Sequence, residues 1–236
     1  MRQSNGRAVA ATPAAALGRA GRGRAAPAEG GLRAIHQQVL RSFVTVGRPP
    51  STADLAETAA RYATTAGAVL AALHAEDFLR LAADGQIRAA YPFSAVPTPH
   101  LMDLDGGPRV YAMCAIDALG VAAMIRATVR ITTADPYTGD PVTVTVQADG
   151  TTATWQPQTA VVFAGRHASC RPGETPVGAL PAAAEVSCGY VNFFTTPASA
   201  AAWASAHPEA TGEILGQAAA LRLGTAIFGP LLADDC

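Results

Sequence analysis

An α+β fold, with an N-terminal winged-helix-like helical module followed by a mainly antiparallel-sheet domain with flanking helices, is predicted by three features of the sequence. Apolar residues recur at helical spacing between residues 32 and 81. Alternating apolar and polar residues broken by Asp, Gly and Pro turns run from 127 to 164. Helical patterning returns after residue 197. These features divide the chain into a tail (1–31), a helical module (32–95) and an α+β domain (96–236).

The tail is rich in Ala, Gly, Arg and Pro and has almost no large apolar side chain to bury, so it is expected to be disordered. Ile35, Val39, Leu40 and Phe43 define a first helix over 32–46, stopped by Gly47-Arg48-Pro49-Pro50. Ser51 to Asp54 reads as the cap of a second helix over 55–62. Thr64 or Thr65 caps a third, carrying Val69, Leu70, Leu73, Phe78, Leu79 and Leu81 as far as Asp84-Gly85. Extended segments follow at 86–93 and 100–104. Three helices, a turn and a strand are the outline of a winged helix-turn-helix.

After the turn at 105–108, residues 109–124 read as helical, and 114–125 as a buried, mostly apolar helix that contains Asp117. An ionisable group there needs a partner or a task. Strands are predicted at 127–132, 142–146, 151–155, 160–164 and 187–194, with 165–182 as a long loop between the last two, of a length that in compact domains often serves as a cover. Helices over 197–206 and 213–228 complete the outline.

Composition excludes several function classes. No apolar run reaches the roughly 18–20 residues of a membrane span. The formal net charge is −1 and all positive charge is arginine. Within 51–90 the acids Asp54, Glu57, Glu76, Asp77 and Asp84 outnumber Arg61, Arg80 and Arg88, a net of −2, which argues against a phosphate-reading head. Nucleic acid is therefore an improbable partner despite the helical outline. The four cysteines (114, 170, 188, 236) show no C-x-x-C spacing, and a clean secretory pattern is lacking at the N-terminus, so a cytoplasmic, thiol-reducing location is expected. His74, His100, His167 and His207 have no zinc-site spacing and read as packing or surface residues.

Chemistry points to Cys114-Ala115-Ile116-Asp117. On a helix, positions three apart share a face with Cβ atoms about 5–6 Å apart, which sets a thiol beside a carboxyl group. That pair suggests soft-metal chemistry with a proton donor attached. Cys188, in the β-like run Val186 to Phe194, can join it only through tertiary packing. The bland alternatives are buried filler cysteines and an Asp117 paired with Arg126 or Arg130.

The block Tyr111 to Leu119, Cys188 followed by Val191-Asn192-Phe193-Phe194, and Trp203-Ala204-Ser205-Ala206-His207 resemble the organomercurial (alkylmercury) lyase family over about residues 32–228. The resemblance implies a winged-helix-like module joined to an α+β catalytic module. It also implies Cys114 and Cys188 as mercury-binding thiols and Asp117 as the proton-handling acid, all three lying at the metal. Some members carry a second cysteine after the distal one, where this chain has Gly189. Cys170 and Cys236 match no family site.

The activity so implied is protonolysis of the carbon–mercury bond to a hydrocarbon and Hg(II), in mercury resistance and detoxification. It needs no organic cofactor; external low-molecular-weight thiols, and a partner mercuric reductase, take the product. Proximity to a helix N-terminus is expected to lower the Cys114 pKa. A thiol-based metal-sensing DNA-binding regulator is the alternative from another class, and a passive metal-binding protein the third. The acidic helical module weighs against the first and Asp117 against the second.

Overall fold

The computed structural model describes residues 23–168 and 182–233. Among the described residues seven α-helices and eleven strands, all paired antiparallel, make an α+β fold. Cys170, Cys236, the tail before residue 23 and residues 169–181 of the expected 165–182 loop lie outside the described residues, while 165–167 continue a strand.

Helix α1 (Leu32–Val46) buries Ile35, His36, Val39, Leu40 and Phe43. It ends where Gly47 takes a left-handed conformation (φ 81°) and returns its N–H to Phe43, with the two prolines preventing continuation. Helix α2 (Ala56–Ala60) is short. Helix α3 (Ala66–Ala75) starts at Thr65, whose side chain accepts the Ala68 N–H at 3.2 Å.

Here the structure departs from the periodicity. The predicted third helix stops at Ala75 instead of running to Leu81, because Asp77 turns left-handed (φ 61°) and the Phe78 N–H bonds back to Leu73. Leu79–Leu81 becomes strand β1, followed by β2 (Ile87–Ala90) and β3 (Phe93–Ser94). These strands are no free-standing wing. They open an eight-stranded antiparallel sheet that continues through β4 (Leu101–Leu104), β5 (Arg109–Ala112), β6 (Val129–Ala134), β7 (Pro141–Val146) and β8 (Ala153–Gln156), in the order β1-β2-β3-β5-β4-β6-β7-β8. The boundary expected at residue 95 therefore falls inside one sheet, and one apolar cluster runs from Ile35 through Phe93 and Leu119 to Leu231.

The second sheet has the order β10-β9-β11, from β9 (Val161–His167), β10 (Val191–Phe194) and β11 (Ala210–Leu215). The helix predicted over 213–228 is thus two elements. Residues to Leu215 pair with β9, and α7 (Gln217–Phe228) begins after Gly216. Helix α6 (Pro197–Ala206) covers this sheet through Trp203, packed between Phe163 and Phe194. The Asp135 carboxylate ties the sheets together by accepting from Thr195 N–H and Oγ1 at 2.8 Å and from Ser199 Oγ at 2.7 Å.

Helix α4 (Ala115–Ile125) lies at the centre, with nine of its eleven residues buried. It packs along α7 and touches β5, β6, β9 and β10. Close approach to α7 depends on glycine: a Cβ on Gly120 would collide with the Gly224 carbonyl and the Phe228 ring, and one on Gly224 would lie 2.7 Å from the Ile116 carbonyl oxygen. A helix buried all round has no solvent face for a charge, which makes Asp117 the exception to explain.

The tail is ordered over its last residues. Arg24 and Ala26 are buried and Glu29–Gly31 forms a 3-10 turn into α1. The expectation of disorder fails there because Arg24 pairs with Asp77, distant in sequence, so its charge is not left to solvent.

Candidate active site

Cys114 sits at the junction of β5 and α4. Residues 109–112 are a strand and not the start of the helix, so Cys114 is extended (φ −155°, ψ 177°) and occupies the N-cap of α4. The preceding Met113 N–H bonds the Pro92 carbonyl at 3.0 Å, which fixes the strand end. Asp117 follows in the first helical turn, where the helix dipole favours a negative group.

Cys188 arrives from the other side of the molecule. It lies in a 3-10 turn, Cys188–Tyr190, between the short helix α5 (Ala183–Val186) and β10, and not in the strand itself as the alternation suggests. Its strand nevertheless begins at Val191 and pairs with β9, which lies against α4.

Tertiary packing brings the three predicted residues together: one Sγ from each of Cys114 and Cys188 and one carboxylate oxygen of Asp117 all lie within 4.8 Å of one another. The three are 2 %, 6 % and 7 % exposed. Both cysteines are free thiols. Among the described residues the Asp117 Oδ2 is buried without a hydrogen-bond partner, the kind of unsatisfied group that marks a place for a reacting ligand.

Burial shapes the protonation of this cluster. Desolvation pushes the Asp117 carboxyl up to about 7, against the opposing pull of Arg24 and of the Cys114 thiol. Desolvation likewise pushes the Cys114 thiol well above its ordinary value, reinforced by the Cys188 sulfur and the Asp117 carboxyl. The lowered pKa expected from the helix N-terminus is thus overturned: the Asp117 amide acts in the lowering direction, but loss of water outweighs it. At neutral pH the site holds a protonated Cys114 beside an acid that is equally ready to take or give a proton.

The charged neighbour is not either arginine suggested by the sequence, since Arg126 and Arg130 are exposed. It is Arg24. Burial disfavours its charge, but Tyr91, Asp77, Asp117 and Cys188 more than offset that. Nothing in a Gly/Ala/Arg-rich stretch signals such a residue, and Asp77 reads from sequence only as one of five acids in the helical module. His100, read as a packing residue, is buried against Phe193, and burial lowers it to about 4, so it is neutral.

The family model for alkylmercury lyase (MerB) matches residues 93–229, more than half of the chain. An alkylmercury lyase of Streptomyces lividans is 31% identical over 196 residues, covering 83% of each chain. That of Pseudomonas putida is 35% identical over 143 residues, 58% of each chain. A solved structure, the mercury-bound form of MerB2, superposes with a TM-score of 0.69 at 25% identity, covering 88% of this chain and 93% of that one. With both thiols and the acid gathered on the framework these proteins share, this chain belongs to the alkylmercury lyase family.

Proposed function

We propose that this protein is an organomercurial lyase that cleaves the carbon–mercury bond by protonolysis, with Cys114 and Cys188 as the mercury-binding thiols and Asp117 as the proton carrier. The observation that carries the reading is the enclosure of two free thiols and one buried carboxyl group within 4.8 Å of one another.

The chemistry follows from the groups. Mercury is soft and prefers thiolate sulfur to oxygen. The cationic R–Hg⁺ substrate favours loss of the Cys114 proton, which Asp117 accepts; this suits a carboxyl group held at about 7. Bonding of Cys188 as the second thiolate raises electron density on mercury and on its carbon. The carbon–mercury bonding pair then takes the proton from Asp117 and leaves as R–H. Overall R–Hg⁺ and two thiols give R–H, a bis-thiolate Hg(II) and one proton released to solvent. Low water content strengthens each electrostatic step.

No organic cofactor enters this scheme. Low-molecular-weight thiols would exchange Hg(II) off the two cysteines, and a mercuric reductase is the natural acceptor. A reducing, cytoplasmic setting suits this exchange of thiols. Among the described residues no helix is long and apolar enough to cross a membrane. The test is to supply phenylmercury with excess thiol and measure benzene. The parent protein releases it, whereas Asp117→Ala retains Hg(II) but slows release by about 10²-fold or more. Parental benzene release by that variant removes Asp117 from the reaction.

A further inference from the structure

Cys188 has little regular structure to hold it, but the segment before it is anchored by side chains from far away. Asp77 is the hub. Its Oδ2 accepts the Ala183 N–H at 3.1 Å and its Oδ1 accepts the Tyr91 hydroxyl at 3.1 Å. That hydroxyl in turn accepts the Ala184 N–H at 3.0 Å. Both anchored amides open α5, the four-residue helix that is separated from Cys188 by Ser187 alone. On the opposite side Arg24 donates to the Asp77 carbonyl at 2.6 Å, stands 3.4 Å from Asp77 Oδ2 and lies over the Tyr91 ring at 3.9 Å.

Asp77 itself is 1 % exposed and holds a left-handed backbone conformation that a non-glycine residue adopts only when its surroundings impose it. A charged residue buried this deeply, in a strained turn and fully engaged by hydrogen bonds, has a specific placement to maintain.

We infer that Asp77, working with Tyr91 and counterbalanced by Arg24, is the positioning residue for the second sulfur: it fixes the segment carrying Cys188 so that this thiol faces Cys114 and Asp117. The helical module thereby helps to shape the site, and its acidic residue count includes one buried member with a positioning task. Asp77 touches neither substrate nor the reacting atoms. The inference rests on the reading of Cys188 as a mercury ligand.

The experiment compares Asp77→Ala, Asp77→Asn, Tyr91→Phe and Cys188→Ala in the full chain. It measures kcat and KM for phenylmercury cleavage, and counts the protein sulfurs on bound Hg(II) by X-ray absorption. Displacing a ligand by even an ångström costs on the order of tenfold to a hundredfold in rate. Asp77→Ala shows that loss in kcat and one protein sulfur on mercury in place of two. Asp77→Asn, which keeps an acceptor oxygen for the Ala183 N–H, regains most of the rate and the second sulfur; Tyr91→Phe falls between. A folded Asp77→Ala with parental kcat and two sulfurs overturns the inference. Should Asp77→Ala not fold, Tyr91→Phe decides alone, with parental kcat and two sulfurs again the overturning result. Loss in Cys188→Ala beside parental behaviour in the Asp77 and Tyr91 variants defeats only the positioning role, whereas parental turnover in Cys188→Ala defeats the ligand reading beneath it.

Discussion

Cys114 and Cys188 face the same cluster, yet the chain holds them by different means. Cys114 is the cap of α4, a helix enclosed by α7 and by strands of both sheets, with Asp117 one turn away on the same rigid element. Cys188 is in a 3-10 turn that follows a helix of four residues, whose Ala183 and Ala184 amides donate to Asp77 and Tyr91. One limb is fixed by close packing, which resists deformation. The other also reaches the core through Ala183, Cys188 and Val191, but the segment leading to it is tied by a few buried polar contacts, which position sharply while intact and fail when one partner is lost. On the proposed reading, in which both sulfurs hold the metal and outside thiols later remove it, the site combines one ligand on a packed helix with one on a segment tied by polar contacts.

The comparison can be broken most severely at the sulfurs. Cys114→Ala and Cys188→Ala are each expected to abolish benzene release from phenylmercury and retention of Hg(II) against a competing thiol. Parental turnover in either alone would mean that one limb suffices.

The next effect concerns the proton on the rigid limb. Because the folded-state pKa of Asp117 is raised from 3.8 to about 7, the group contributes most to stability below its unfolded value, and that contribution is lost as pH rises through about 7. Asp117→Asn, which has nothing to ionise, is therefore expected to become progressively more stable relative to the parent between about pH 4 and about pH 7 and to keep that advantage at about pH 8. Denaturant midpoints across this range measure it, and a pH-independent difference would show that Asp117 is not held in an apolar setting.

The smallest effects distinguish the limbs by packing alone. Gly120→Ala drives a methyl into the Gly224 carbonyl and the Phe228 ring and is expected to cost about 1–3 kcal/mol. Gly189→Ala, beside Cys188, meets nothing within 4 Å and is expected to change stability by less than about 0.5 kcal/mol. Equal losses measured by urea unfolding would erase the distinction between a packed limb and an open one.

Much of the β meander was legible, because strict alternation in β6 and β7 and the turns at Asp135–Gly139 and Asp149–Gly150 are local signals. Leu79–Leu81, Arg109–Ala112 and Ala210–Leu215 were not. Each is a short strand adjoining a helix whose apolar rhythm can be extended through it, and only the neighbouring strand decides between the two.

The sequence by itself determined the chemical inventory of this protein: two cysteines, an acid three residues from one of them, a buried apolar helix to carry that acid, and too little positive charge to read phosphates. These are properties of residue type and short spacing, and they survive any uncertainty about the fold. Tertiary structure alone decided that the sulfurs meet, that water is excluded far enough to hold Asp117 near 7 and to raise Cys114, and that Arg24 and Asp77 stand behind the site. Distance between remote residues and the loss of water around them are products of packing the whole chain, and no local stretch encodes either.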